Sequence, residues 1–248
     1  MTKGPAVSKG DVLYQGKAKR LSHTSDPGVL WVEYLDQATA FNGEKKDHIS
    51  GKGELNARIS ALLFEYLDGR GISSHFLEQV SATEQLVSRV QIVPLEVVVR
   101  NVAAGSLTKR LGIEEGTPLP RPLVEYFYKD DDLGDPLLND EHIGLLELAT
   151  PQELAEIRRQ ALEVNREMGA LFDEAGVRLV DFKLEFGRAP DGQILLADEI
   201  SPDNCRLWDK ESGQKLDKDV YRRGLGELVP VYQQVEALLS EALLKDDR

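Results

Sequence analysis

One stretch constrains this chain more than any other: Val180, Phe182, Leu184 and Phe186 alternate with Asp181, Lys183 and Glu185. A period of two is the signature of a β-strand, here with one apolar and one ionic face. Ala189-Pro190-Asp191-Gly192 then turns the chain, and Ile194, Leu196 and Ile200 predict a returning strand that carries Asp198-Glu199 at its end. Upstream, Thr150-Pro151-Gln152-Glu153 supplies a hydroxyl N-cap, a proline at the first helical position and a glutamate at N3. Leu154, Ile157, Ala161, Val164, Met168, Leu171 and Phe172 share one face of the helix that follows, and Gly176 ends it.

The remaining elements are read the same way. Val12-Leu13-Tyr14 and Val29 to Leu35 predict two strands of a hairpin around Ser25-Asp26-Pro27-Gly28. From Leu55, the residues Ile59, Leu62, Leu63, Tyr66 and Leu67 form a helical stripe, stopped by Gly69-Arg70-Gly71. Gln85 to Val102 predicts two short strands, or one turning a corner, broken at Pro94. Residues 112–150, with Pro118, Pro120, Pro122, Pro136 and Asp130-Asp131-Asp132, predict a long irregular excursion. Leu228, Val231, Tyr232, Val235, Leu238 and Leu239 mark a terminal helix. No internal repeat or low-complexity linker appears, so two lobes, 1–94 and 95–248, would meet at a short hinge near Pro94.

Charge excludes some partners. Thirty Lys+Arg against 43 Asp+Glu give a net −13, a field that repels polyanions, so nucleic acid is not expected as a partner. The acid is uneven, however: residues 1–20 carry five Lys/Arg against one Asp, and a small anion can still find a local positive site. A single cysteine, Cys205, allows no internal disulfide and suits a reducing cytoplasm. The first ten residues hold no apolar leader and no run reaches the ~20 apolar residues of a membrane span, so no membrane association is expected.

Five clusters can carry chemistry. Asp181 and Glu185 share a strand face with Lys183, and Asp198, Glu199 and Asp203 follow within about a dozen residues. Carboxylates gathered there would repel unless a cation sits among them, and hard oxygen ligands of few dedicated positions suit Mg²⁺ held partly by substrate phosphates. Strand parity pairs Glu185 with Asp198 in one register and with Glu199 in the other, and a solvated face with Lys183 bridging its neighbours has the same pattern. Gly16-Lys17-Ala18-Lys19-Arg20 can place two ammonium groups near phosphates although it is no Walker loop; an ordinary surface turn looks alike. Arg100, followed by Asn101-Val102-Ala103-Ala104-Gly105-Ser106, lets backbone and hydroxyl approach an anionic ligand, or simply ends a strand. Phe41 to Gly53 alternates glycine with charge, as a closing loop or a bare linker would. In Ser201-Pro202-Asp203-Asn204-Cys205-Arg206, Arg206 suits a phosphate, while Cys205 has no His to activate it. Together the clusters describe a site for ATP and Mg²⁺ with an anionic co-substrate.

Tyr14-Gln15-Gly16-Lys17-Ala18-Lys19, Ala40-Phe41-Asn42-Gly43-Glu44-Lys45-Lys46, Val98-Val99-Arg100-Asn101-Val102-Ala103-Ala104-Gly105-Ser106, Asp181-Phe182-Lys183-Leu184-Glu185-Phe186-Gly187 and Asp198-Glu199-Ile200-Ser201-Pro202-Asp203 resemble the SAICAR synthetase family, in the family's order from Tyr14 to Asp209. The resemblance implies a two-lobed α+β fold related to ATP-grasp and protein kinase folds, with ATP in the cleft between lobes. It implies a ligase of purine biosynthesis that joins the carboxylate of carboxyaminoimidazole ribonucleotide (CAIR) to the amine of L-aspartate, with ATP cleaved to ADP and phosphate. On matching positions, Lys17 and Lys19 would face the ATP phosphates, the backbone from Ile92 to Leu95 the adenine, and Glu185 and Asp198 the Mg²⁺. Arg100, Ser106, Asp203 and Arg206 would bind substrate, with Asp181 and Lys183 near the reacting groups and Phe41 to Gly53 closing over them. No carboxylase segment follows Arg248, which implies a single activity, and a homodimer is expected on frequency grounds. The pattern-level rivals are a small-molecule kinase, which would need no aspartate, and an ATP-binding regulator, which would show no turnover.

Overall fold

A computed structural model describes residues 7–40 and 45–246. The chain opens with β1 (Lys9–Gln15), β2 (Lys19–Thr24) and β3 (Val29–Tyr34), then a small hairpin of β4 (Gln37–Ala40) and β5 (Lys45–His48). Helix α1 (Lys52–Gly69) leads to β6 (Phe76–Gln79), β7 (Glu84–Ser88), β8 (Gln91–Ile92) and β9 (Leu95–Val102). After α2 (Ser106–Leu111) come β10 (Pro118–Tyr128), β11 (Leu137–Leu138), α3 (Asp140–Leu145) and the long α4 (Pro151–Glu174). The chain closes with β12 (Val177–Arg188), β13 (Ile194–Ala197), β14 (Cys205–Asp209), α5 (Asp219–Arg223) and α6 (Leu228–Asp246).

Besides the two-stranded β4–β5 hairpin, the described strands form two larger antiparallel sheets. The first runs β1-β2-β3-β7-β6; the second runs β11-β10-β9-β12-β13, with β14 and β8 also paired to β12. Mixed helices and sheets, with α4 laid across β12, make this the expected α+β fold. Val12 to Tyr14 does not pair with Val29 to Leu35: an additional strand, β2, lies between them, so the predicted hairpin is a three-stranded meander. Gln85 to Val102 leaves one sheet and enters the other, as β7, β8 and β9. The stretch 112–150 is also more regular than its prolines suggest. Pro120 and Pro122 fall where the β9–β10 ladder is interrupted between Pro118 and Leu123, and regular pairing covers Leu123 to Tyr128.

Helix α1 begins at Lys52, ahead of the apolar stripe, because Asp36 caps it: its carboxylate accepts from Gly51 N at 3.1 Å and Gly53 N at 2.9 Å. Ala57 packs with Leu30, Val32, Tyr34 and Val87 of the first sheet, whereas Ile59, Leu63, Phe64 and Leu67 enter the main core with α4 and α6. One helix thus fills both sides of the junction. The cap of α4 matches its sequence: Thr150 Oγ accepts from Glu153 N at 3.2 Å, and Glu153 Oε2 accepts from Thr150 N at 2.8 Å.

The defining strand departs from perfect alternation in one place. Leu179 pairs with Leu207 but Asp181 with Arg206, so Val180 is an extra residue in a bulge. Val177 and Leu179 therefore share the main core with Phe182, Leu184 and Phe186, while Val180 turns to a satellite cluster of Val102, Ala104 and Trp208. Returning strand β13 stops at Ala197, short of the predicted Ile200, because Asp198 adopts a left-handed backbone, φ 64°.

At Gly53 an added Cβ would lie 2.7 Å from Tyr34 O, whereas at Gly169, within α4, it would meet nothing within 4 Å. Gly169→Ala should stabilise by roughly 0.5–1 kcal/mol, and Gly53→Ala should destabilise despite the same gain in helix propensity. Urea unfolding of both variants checks the opposite signs.

Candidate functional site

The two sheets face each other across a cavity of about 650 Å³. From the first sheet's β1–β2 turn come Gly16, Lys17, Ala18 and Lys19; from β9 come Glu96 and Arg100; from β12 come Asp181, Lys183 and Glu185; from the turn after β13 come Asp198 and Glu199. Asp203, Arg206, Lys218 and Arg222 close the far end, and Lys129, Asp131 and Asp135 rim it.

Acids and bases interleave. Lys19 Nζ lies 2.5 Å from Asp198 Oδ1 and 3.3 Å from Glu199 Oε1. Burial works against its charge, yet Asp198 and Glu199 outweigh that and hold the Lys19 ammonium well above its ordinary pKa. Asp198 is likewise opposed by burial and held well below the carboxylate range by Lys19, Lys183 and Lys129. Glu185, 2% exposed, receives Lys129 Nζ at 2.5 Å and Lys183 Nζ at 3.0 Å, both on Oε1, and Lys183 also reaches Glu96 at 2.8 Å. Lys17 bonds outward to Asp131 at 2.7 Å.

At the other end, Asp181 Oδ2 accepts from Arg100 Nη1 at 2.7 Å and from Arg206 Nη1 at 2.9 Å. Arg100 is buried and further donates to Glu125 Oε2 at 2.7 Å, Ser106 Oγ at 3.1 Å and Ala104 O at 3.4 Å. Arg206 Nε donates to Asp219 Oδ2 at 3.2 Å. Gly105, φ 57°, lies against this guanidinium; a Cβ there would sit 2.6 Å from Arg206 Nη2. Asp203 accepts from Tyr232 Oη at 2.7 Å and pairs with Lys52 at 2.7 Å and Lys218 at 3.2 Å. Lys52, fully buried in the first turn of α1, thereby ties that helix to the segment before β14.

Nine of the eleven residues expected from the sequence line this cavity: Lys17, Lys19, Arg100, Asp181, Lys183, Glu185, Asp198, Asp203 and Arg206. Ser106 meets it through Arg100, and Ile92, 37% exposed on β8, is not among the lining residues. Register parity sets Glu185 opposite Ala197, on the parity of Glu199, but the left-handed Asp198 ends that alternation and both carboxylates reach Lys19. Among the described residues no three metal-ligating side chains converge. Lysines take the place of the cation that the clustered acids were expected to need, and Lys183 does bridge its neighbours. Two carboxylates beside a space large enough for phosphates still match the donor set of Mg²⁺, which takes its remaining ligands from water and phosphate.

Several partners carried no signal of their own. Lys129, Lys218 and Arg222 sit in stretches without a pattern; Glu96 shares the parity of Arg100 on β9 and was readable as a charge on a mostly apolar strand. Burial raises the Cys205 thiol well above its ordinary pKa, consistent with a passive cysteine. Of the expected closing loop, Phe41 to Glu44 lie outside the described residues; the rest is not a loop but β5, a short turn and the first residues of α1, Lys52 and Gly53, with β5 fastened by Lys45 Nζ to Tyr221 O at 3.1 Å and by Tyr221 Oη to Asp47 at 2.7 Å. His75, buried, lies behind the site with Nε2 3.1 Å from Asp198 O, and burial pushes its pKa down to about 4.

Behind Arg206, burial and the neighbouring Asp219 push Asp217 up to about 6. A carboxyl whose folded pKa lies above its unfolded value lends stability that is complete at low pH and lost as pH rises through the folded value. The unfolding free energy of the wild type relative to Asp217→Asn should therefore fall by up to about 1.4 kcal/mol per pH unit between about pH 4 and 6, then level off. Denaturant titrations across pH 4–8 measure it.

Comparison with known proteins agrees with this geometry. The family model for SAICAR synthetase matches residues 12–239. The phosphoribosylaminoimidazole-succinocarboxamide synthase of Lysinibacillus sphaericus is 61% identical over 226 residues, covering 91% of this chain and 96% of that protein. The crystal structure of the synthase of the same name from Ehrlichia chaffeensis superposes with a TM-score of 0.91 at 42% identity, covering 93% of this chain and 98% of that one. A SAICAR synthetase solved in complex with ADP superposes at 0.90 with 44% identity, over 93% of this chain and 98% of that one. With the overall fold and nearly the full length in common, the chain belongs to the SAICAR synthetase family.

Proposed function

We propose that this protein is an ATP-dependent carbon–nitrogen ligase of purine biosynthesis, joining the carboxylate of CAIR to the amine of L-aspartate to give SAICAR, ADP and phosphate. The observation that carries this reading is one cavity lined by Lys17 and Lys19 from the first sheet's side, by Arg206, Lys218 and Arg222 from the C-terminal elements, and by carboxylates and further basic groups interleaved with them. Basic groups on separate elements around one cavity suit two phosphorylated molecules. The family, its relatives' names and the ADP held by one of them support it. Residues 1–94 would form one lobe and 95–248 the other, with adenine along the backbone at Ile92.

A carboxylate resists amide formation because its anionic oxygen leaves poorly; phosphorylating that oxygen makes it a leaving group, and the neutral amine then displaces it. Such phosphoryl transfer asks the protein for position and charge neutralisation more than for a covalent nucleophile. Lys17 and Lys19 bind and orient the ATP phosphates. Arg206 and Ser106 orient the ribonucleotide, with Arg100 buttressing Asp181 beneath it and Asp203 at the cavity wall. Asp181 and Lys183 would lie at the reacting groups, and the proton of the amine passes either to Asp181 or to the nucleotide's own phosphate. Glu185 and Asp198 would hold Mg²⁺, which when bound neutralises charge shared among the phosphates.

A homodimer in the cytoplasm is part of the same proposal. No described helix is long and apolar enough to cross a membrane, which is compatible with that setting.

One assay separates the ligase from a kinase or a non-catalytic binder: phosphate release from ATP and CAIR with and without aspartate, alongside absorbance of the succinocarboxamide. Glu185→Ala and Asp198→Ala should each abolish nearly all turnover, and Lys19→Ala should cost at least ~10²–10³ in rate. Wild-type turnover in both carboxylate variants would overturn the metal assignment. Arg206→Lys keeps one charge but loses the planar fork that spans Asp181 and Asp219, so the KM for CAIR should rise more than kcat falls. Steady-state kinetics with CAIR varied would show it.

A further inference from the structure

We propose that His75 is a positioning residue for Asp198, its imidazole fixing the left-handed backbone that aims the Asp198 carboxylate into the cavity. The inference rests on the reading of Asp198 as a magnesium ligand. Asp198 is one of only three non-glycine residues with positive φ among those described, with Asp135 and Glu147, and it follows directly on the last paired residue of β13. A Cβ disfavours that conformation, so surrounding contacts must hold it.

The contacts come from the segment between α1 and β6. A carbonyl oxygen can only accept, so the His75 Nε2–H is the donor to Asp198 O at 3.1 Å. His75 is itself locked: its N donates to Leu196 O at 2.8 Å, its carbonyl accepts from Ser88 N at 2.6 Å, and its ring stands edge-on to Phe64 with centroids 5.6 Å apart. Ser74 adds a bridge to Leu196. Past the turn, Ile200 N donates to Ser60 Oγ at 3.2 Å. The residue carrying the carboxylate is thus pinned before, at and after its strained dihedral, by side chains and backbone from behind the site. His75 does not line the cavity and needs no contact with substrate to act.

The test is direct binding. ADP is titrated by calorimetry in millimolar Mg²⁺ and again in EDTA, with wild type, His75→Gln, His75→Met, His75→Phe and Asp198→Asn. Gln and Met have nearly the same shape, but only Gln can donate to the Asp198 carbonyl; Phe keeps the ring without the donor. The expected result is a Mg²⁺-dependent gain in ADP affinity reduced about tenfold or more in the Met and Phe variants and kept near the wild-type value in Gln, as for other groups that orient a metal ligand. Affinity in EDTA should be unchanged in all three His75 variants. Equal Mg²⁺ gain in wild type, Gln and Met overturns the proposal, as does a Gln variant as impaired as Met. If Gln folds and neither Met nor Phe does, the hydrogen bond is a folding determinant and positioning is likewise rejected. Asp198→Asn separates the two readings: an undiminished Mg²⁺ gain there defeats the metal assignment, whereas a loss there with none in Met or Phe defeats only the role of His75.

Discussion

The ion pair between Lys19 and Asp198 bridges two different sheets, and the rest of the site is arranged by the same constraint: a charge taken out of water must meet its opposite. Asp181 lies between Arg100 and Arg206, Glu185 between Lys129 and Lys183, and Asp203 between Lys52 and Lys218. Most of these pairings link elements far apart in the chain, although Lys183 and Glu185 share β12. The result is a cavity whose walls are charged throughout yet nearly neutral locally. On the proposed reading, a triphosphate entering such a place would compete with Asp198 and Glu199 for Lys19, and a divalent ion entering with it would meet the carboxylates that the lysine releases. Neutralisation is exchanged rather than created, which keeps the polar side chains ordered before any ligand arrives.

Two backbone irregularities turn this constraint into a directed site. The bulge at Val180 shifts the parity of β12, so Leu179 and Phe182 both face the core and Asp181 faces the cavity. The left-handed Asp198 does the same at the end of β13. Neither is a favourable conformation in isolation. The packing of α1, α4 and α6 beneath the sheet, the hydrogen bond that His75 donates to Asp198 O and the one that Ser60 Oγ accepts from Ile200 N hold them in place. Of the two, only Asp198 combines a strained dihedral with a carboxylate in the cavity; the bulge residue Val180 is apolar and acts by turning its neighbour Asp181 toward it.

Much of the fold was legible because its longest elements obey local rules. The capping box at Thr150, the helical stripe of α4 and the alternation of β12 each express a short-range preference, and the structure keeps them, apart from the bulge that turns Val180 off the expected face. The misses have physical causes. β2 is short and polar, Lys19 to Thr24, and earns its place by pairing on both sides with strands whose own patterns were clear. The prolines of β10 suggested a loop because their missing donors normally exclude a central strand, but Pro118 stands at the strand's first position and Pro120 and Pro122 fall where the ladder is interrupted. Lys129 and Lys218 reach the site from loops, where no periodicity marks a side chain as inward.

The sequence by itself determined which residue types are available for chemistry, their order along the chain, and the strand and helix on which most of them ride, since period and capping depend only on near neighbours. Only the tertiary structure decided which charges become partners, which carboxylate of Asp198 and Glu199 takes the strained position, and that of the two cavity arginines flanking Asp181, Arg100 is buried while Arg206 is more open. Those outcomes depend on burial and on distances between residues more than a hundred positions apart, such as Lys19 and Asp198, and a linear pattern contains no term for either.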